Sequence, residues 1–385
     1  MNEDHILPRA STRARLRKDR SDRRDRHKQR GGILVLAGAS LLTLAAFGAL
    51  AIEVGNLMLA RTQLQNVADA AAMAGAGCLL ARNECGNVGT NGTDWQTARQ
   101  RALNFVPSNP LQGKPVSDVV VDAGFWNMYG SPATLQPNSI VPGDYDYPAI
   151  RVTVSATGNA AGTGYQAPLV ALLGSAGVSV NASAVAVLSH PGTTTAGTVF
   201  PLVIAKCMYD TYWNASTGSP VLATAVTMPG FDLPQVVGEP LRFKITSSYK
   251  AGACESGQWS SLDLDSSSAA VLRGMLQSGN TAAISLGQTV WVQPGAQTTL
   301  YSDVQNCSDS GNKSCAWVMI PVVQTVNSHT ATPVMGFACV RVLSAVGGSG
   351  KYIAVQMSAD ATRCPRSGSG IGPNYGITTP ARLVN

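Results

Sequence analysis

"RGGILVLAGASLLTLAAFGALAIEVGNLMLARTQLQNVADAAAMAGAG" (Arg30–Gly77) decides how the chain is read, because it opens as a membrane-spanning helix and closes as an amphipathic one. No charged residue lies between Gly31 and Ile52, and Ile33 to Ile52 as a helix would cover about 30 Å, the thickness of a hydrocarbon core. Beyond Glu53 there is no proline, and Leu57, Leu64, Val67, Ala71 and Ala74 recur at helical spacings. The pattern predicts one long helix that leaves the membrane, lays this face against the first external domain and ends at Gly75 and Gly77. An amphipathic helix after a short joint satisfies the same pattern.

Charge supports an anchor. The formal net charge is +6, and residues 1–30 supply all of it, with eleven Lys and Arg against five Asp and Glu. A basic flank directly before an apolar span is what the positive-inside rule expects of the cytoplasmic side. A nucleic-acid-binding arm is the rival reading of such a tail, but the adjoining span already accounts for the charge, so no nucleic-acid partner is expected. A cleavable secretory signal has an apolar region of about 7–15 residues with a small-residue site close behind. Here the nearest Ala-x-Ala, Ala72 to Ala74, falls well past the apolar run. The expectation is a single-pass anchor retained in a bacterial inner membrane, N-terminus cytoplasmic and body periplasmic.

The cysteines agree with that topology. Cys78, Cys85, Cys207, Cys254, Cys307, Cys315, Cys339 and Cys364 all follow the apolar span, and an even count confined to a translocated body suits disulfides. Cys78–Cys85 and Cys307–Cys315 form plausible local loops; the remaining connectivity is open. No C-x-x-C occurs and the four histidines are scattered, so a metal site of zinc type is not expected.

The basic flank, "RGG", a span closing with "ALAIEVG", and then "LARTQLQNVADAAAMAGA" together resemble the N-terminal segment of TadG-like proteins of the Tad (tight adherence, Flp pilus) assembly family. Gly32, Glu53, Arg61, Leu64, Gln65, Asn66, Ala68 and Asp69 mark the anchor and junction helix in that resemblance. Members usually carry Asp where this chain has Glu53, a conservative departure. The resemblance implies an inner-membrane protein with a periplasmic body that works with other pilus or secretion components.

Composition and periodicity predict an α+β chain: 1–30 basic cytoplasmic tail, 31–53 transmembrane anchor, 54–188 helix plus antiparallel sheet, 189–198 linker, 199–368 mainly β, 369–385 loose tail. Within 54–188, "DWQTARQRALNFV" reads as a helix, and "VSDVVVDAGFW", "YPAIRVTVSA" and "AGVSVNASAVAVLS" read as strands. Their general plan is pilin-like. "SHPGTTTAGT" (189–198) has linker composition. Beyond it, "VFPLVIAKC", "PLRFKITSSYK", "ISLGQTVWVQPG", "AWVMIPVVQTV", "MGFACVRVLSA" and "KYIAVQMSA" read as strands around one helix, "SSAAVLRGMLQSG". This suggests a barrel-like domain or a small sandwich. "RSGSGIGP" marks the loose tail.

Little in the chain suggests catalysis. No G-x-S-x-G, H-E-x-x-H or P-loop pattern occurs. His190 and His329 read as solvated loop residues. Larger TadG-like proteins carry a von Willebrand-type A domain with a D-x-S-x-S metal motif; here "DLDSSSAA" lacks the final serine, so Asp263, Asp265 and Ser266 read as a turn and helix cap. Asp144 and Asp146 in "GDYDYP" read as a polar loop rather than a calcium site. Trp126, Tyr129, Tyr212 and Trp213 are either a contact patch for protein or glycan, or core residues. The expected protein is a non-enzymatic assembly component without cofactor, with homo-oligomerisation open. Its alternatives are a minor pilin or adhesin, or an anchored ligand-binding module. A prepilin normally carries Glu five residues after its cleaved glycine, whereas Gly31 and Gly32 place Leu36 and Ala37 there.

Overall fold

A computed structural model describes residues 12–80, 85, 93–116, 118–130, 134–143, 145–157, 165, 167, 178–246, 257–264, 266, 268–295, 297–327, 329–358, 360, 363–364 and 368–384, with side chains from residue 32 onward. The fold is α+β, with a long apolar N-terminal helix and a mainly β C-terminal region. Contacts divide it into residues 1–62 with 156–180, and residues 63–155 with 181–385.

Helix α1 (Thr12–Ala76) runs 65 residues without a proline and closes where the Gly77 amide donates to the Met73 carbonyl. Glycine and alanine dominate its last turns because they pack at backbone distance. A Cβ on Gly75 would stand 2.9 Å from the Ala102 Cβ, 2.9 Å from the Ala98 carbonyl and 3.2 Å from the Ile150 Cγ2. Ala98 and Ala102 belong to α2 (Trp95–Phe105), which starts at Asp94, whose carboxylate accepts from the Thr97 amide at 3.0 Å.

The same unit holds a five-stranded sheet. Strands β1 (Asp118–Asn127), β2 (Leu135–Pro137), β3 (Asp146–Thr157) and β4 (Ser179–Val187) are joined by β14 (Arg382–Val384) in the order β14-β4-β3-β1-β2. β1 and β3 pair antiparallel from Asp118↔Ser155 to Asn127↔Asp146. Along β3, burial alternates with the pleat through Val152, Val154 and Ala156. Asp122 and Arg151 face each other in this register and form an ion pair at 2.7 Å.

A second sheet contains β5 (Leu202–Ala205), β8 (Arg242–Ile245), β9 (Gly257–Leu262), β10 (Thr289–Val292), β11 (Trp317–Val323), β12 (Thr330–Val346) and β13 (Tyr352–Met357). Its order is β10-β9-β5-β11-β12-β13-β8, and β10 also pairs with β12. The circuit β10-β9-β5-β11-β12 therefore closes on itself, so each of its five strands has a neighbour on both sides, and β13 and β8 branch from β12. The 17-residue β12 makes closure possible by changing partners: Thr330–Pro333 pair with β10, Val334–Arg341 with β11, and Val340–Val346 with β13. Alternate residues feed two cores. Met319 and Val323 pack with Val290, Val292 and Phe337, whereas Ile320 and Val322 pack with Ile204, Trp259 and Val340. A short β6 (Trp213–Asn214) and β7 (Ser219–Pro220) pair, and helices α3 (Lys206–Tyr212), α4 (Ala269–Ser278) and α5 (Leu300–Cys307) complete the unit.

Among the described residues three disulfides are present: Cys78–Cys85, Cys307–Cys315 and Cys339–Cys364. The two short loops match the local pairings expected from spacing. Cys254, Asp144 and Asp265 lie outside the described residues.

Two readings need correction. Residues 369–385, taken as a loose tail, instead bury Tyr375, Ile377, Thr378 and Thr379 and place Arg382, Leu383 and Val384 opposite Val187, Ala186 and Val185 of β4. Glycine content here reflects close backbone approach: a Cβ on Gly372 would lie 2.4 Å from the Pro191 carbonyl. The segment 189–198, taken as a linker, holds buried Ser189, His190 and Thr194, and its backbone bonds to Gly372 and Ser369. The cap of α4 is Ser268, while Asp263 accepts from the Thr281 hydroxyl at 2.6 Å.

Candidate functional site

Within α1, Gly32–Ala76 is long and apolar enough to cross a membrane, with a mean hydropathy of 2.3 in its most apolar window. From Ile33 to Ile52 the large side chains are exposed; Leu34 is 76% and Phe47 70% accessible. Even the hydroxyls here are satisfied within the helix. Ser40 donates to the Leu36 carbonyl at 2.8 Å, and Thr43 to the Ser40 carbonyl at 2.8 Å. A segment in hydrocarbon must satisfy its polar groups internally, and this one does.

From Ala60 the same helix acquires a buried face: Ala60, Leu64, Val67, Ala68, Ala71, Ala72 and Ala76 are all at most 2% exposed. Among the residues expected to mark the junction, Leu64 and Ala68 lie on this face, while Gly32, Arg61 and Asn66 are exposed and Glu53 is half-buried. Gln65 donates to Asp69 at 2.7 Å, one turn on, and approaches the Ser183 carbonyl at 3.4 Å. Gln63 accepts from the Gln112 amide at 3.0 Å, a contact that its polar identity alone did not signal. The markers thus separate into those that pack and those that stay on the polar side.

A second feature lies where the five-stranded sheet meets residues 368–384. Tyr147 donates its hydroxyl proton to the Gly372 carbonyl at 2.5 Å, and its ring meets His190 edge-on at 5.3 Å. His190 is 4% exposed, its Nδ1 is 2.6 Å from the Ile377 carbonyl, and its Nε2 has no hydrogen-bond partner. Burial lowers its pKa to about 4, with the Ile377 carbonyl opposing the shift, so the ring is neutral at pH 7. The neutral tautomer then carries its proton on Nδ1 and a lone pair on Nε2. Burial likewise raises the Tyr147 pKa. Beside these residues opens a small cleft of about 70 Å³, lined among others by Phe125, Pro142, Asp146, His190, Asn374 and Thr378.

Other expected features disperse. His329 is exposed, as a loop histidine should be, whereas His190 is not. Trp126 and Trp213 are buried in cores, and of the four aromatic patch candidates only Tyr129 stands exposed, at 67%. Among the described residues no group of three or more His, Cys, Asp or Glu side chains is arranged to hold a metal ion.

Residues 31–77 match the model of the Flp pilus-assembly TadE/G-like family (Tad), and residues 60–186 match that of the Tad-like Flp pilus-assembly family (Tad_C). Comparison with curated proteins and with solved structures gave no match. The first match spans the exposed apolar stretch and the buried face of α1, and the second spans α2 and the first four strands. Over residues 31–186 the chain is thus similar to the TadE/G-like and Tad-like families of Flp pilus assembly.

Proposed function

We propose that this protein is a membrane-anchored structural component of a Tad-type (Flp) pilus or related secretion machine, with a periplasmic body that acts by protein–protein contact. What carries the reading is one observation: a single helix bears exposed apolar side chains through Ile52 and a buried face from Ala60, with no break between. Water would penalise the exposed stretch, at roughly 25 cal/mol per Å² of apolar surface, unless a bilayer covered it. Similarity to these families supports a role in assembly rather than catalysis. The basic flank supports an N-terminus held in the cytoplasm, and the disulfides support an oxidising compartment for the body. On this reading the helix tethers the body to the inner membrane, where other pilus components are its partners.

The test is the intact mass of the membrane-extracted protein, with thiol labelling before and after reduction. Full-length mass with labels gained only on reduction supports an uncleaved anchor and an oxidised body. A chain shortened near Gly31 or Gly32 would instead favour a filament subunit, the reading that the helix-plus-sheet plan of residues 54–188 keeps alive. Leu44→Arg sharpens the test, since arginine at a span centre costs about 2.5–3.5 kcal/mol on insertion scales; carbonate-resistant membrane association should drop.

A further inference from the structure

An anchor fixes the height of whatever stands beside it. Ile33 to Ile52 as a helix covers about 30 Å, a full hydrocarbon core, so a residue level with Glu53 lies in the lipid headgroup layer whenever α1 spans a membrane. The body supplies such a residue. Tyr165, in the connection between β3 and β4, is buried, and its hydroxyl donates to the Val178 carbonyl at 3.0 Å. Burial, and after it the nearby Glu53 carboxylate, raises the Tyr165 pKa, which keeps the ring a neutral donor beside the end of the span. Residues 1–62 and 156–180 form one compact unit, so this height belongs to the fold of that unit.

The exposed chemistry at that height suits lipid better than water. Val54, Met58 and Arg61 are spaced by four and three residues and form one exposed stripe of α1, with Met58 64% accessible. Arg61 is the one charged residue between Glu53 and Asp69. Its Cα stands about 14 Å above that of Ile52, and side chains on a helix lean toward the N-terminus, here toward the membrane. A long arginine reaching back along apolar neighbours brings its guanidinium down to phosphate level. The connection carrying Tyr165 adds no charge, since no Asp, Glu, Lys or Arg occurs between Arg151 and Lys206. Val178, whose carbonyl holds Tyr165, is itself 51% exposed.

We propose that the β3–β4 connection rests on the periplasmic leaflet of the membrane that α1 spans, with Val178, Val54 and Met58 at the boundary of headgroups and acyl chains and Arg61 on a phospholipid phosphate. This rests on the anchor reading. The occupant is lipid because the stripe continues the exposed apolar surface of the span without a break, and a single cation above apolar side chains matches a phosphate above acyl chains. The membrane thereby gains a second hold on the chain beyond the span.

The experiment places the photocrosslinker p-benzoylphenylalanine at Leu44, Met58, Val178 or Val226 of the full chain, in vesicles of phosphatidylethanolamine and phosphatidylglycerol, and reads adducts by intact mass. Leu44 reports the span, and Val226, 58% exposed, reports a surface outside this unit. Phospholipid adducts are expected at Leu44, Met58 and Val178 and not at Val226. Arg61→Glu should cut the Val178 adduct about fivefold, while Arg61→Lys keeps it, both with the Leu44 adduct unchanged. No lipid at Leu44 sinks the anchor reading and this proposal with it. Lipid at Leu44 with none at Val178, or with as much at Val226 as at Val178, overturns this proposal alone. So does a crosslinked dimer in place of lipid at Met58 or Val178, which would assign the surface to a second copy, or a Val178 adduct indifferent to Arg61→Glu.

Discussion

The Tyr147 hydroxyl donates to the Gly372 carbonyl across 2.5 Å, joining β3 to a glycine 225 residues further along the chain. Tyr147 is fully buried, and Gly372 also donates its amide to the His190 carbonyl. The bond thus links the sheet, residues 189–198 and the C-terminal segment. Tyr147→Phe keeps the ring and strands the carbonyl, at a cost of about 1–3 kcal/mol. Urea denaturation should show a lower midpoint at unchanged slope; an unchanged midpoint would mean that the bond contributes nothing net.

His190 makes stability depend on pH. Its folded-state pKa is lowered to about 4 from the ordinary 6.5, chiefly by burial. Between those values the unfolded chain binds the proton and the folded chain does not. The contribution is therefore complete above pH 6.5 and is lost as pH falls toward 4. A shift of that size corresponds to about 3 kcal/mol. Replacing His190 with Gln should flatten the stability profile over this window, measured by denaturant titration at pH 7, 5.5 and 4.

Gly75 tests the packing of the junction helix. Gly75→Leu must push into Ala102, the Ala98 carbonyl and Ile150, and overpacking of this kind typically costs about 1–3 kcal/mol. Gly55, on the same helix, has nothing within 4 Å of an added Cβ. There Gly→Ala should be neutral or stabilising by about 0.5–1 kcal/mol. Thermal melts should show a lower midpoint for Gly75→Leu and an unchanged or higher one for Gly55→Ala.

The remaining two cysteines are predicted to pair. β5 and β9 run antiparallel with Ile204 opposite Gly257, and Cys207 and Cys254 lie three residues beyond that pair on either side in sequence. Non-reducing peptide mapping should recover a Cys207–Cys254 link beside the three disulfides already described; either cysteine as a labelled free thiol would refute it.

Much of this architecture is legible in the sequence because its signals are periodic. The face through Leu64, Val67 and Ala71 follows from helical spacing, and β1 and β3 follow from β-branched alternation. The closed circuit of strands is not legible, since it depends on β12 changing partners along its length, and no local pattern encodes a partner. Arg382–Val384 was missed because three residues led by a charge carry no strand periodicity. The cleft was hidden for a related reason. His190 sits in a segment whose Gly, Ser and Thr content reads as solvated, yet those small residues are what let Gly192 and Gly372 bring two backbones together.

The position of β14 also sets an order of events. Its three residues cover the edge of β4 at Val185–Val187, almost two hundred positions earlier in the chain. During synthesis that edge stays open until residue 384 has been added, so the first sheet is completed only after the strands of the second have been made. Completion of the body is thereby a checkpoint on synthesis: a chain halted within the barrel displays a raw strand edge that proteases and chaperones can recognise.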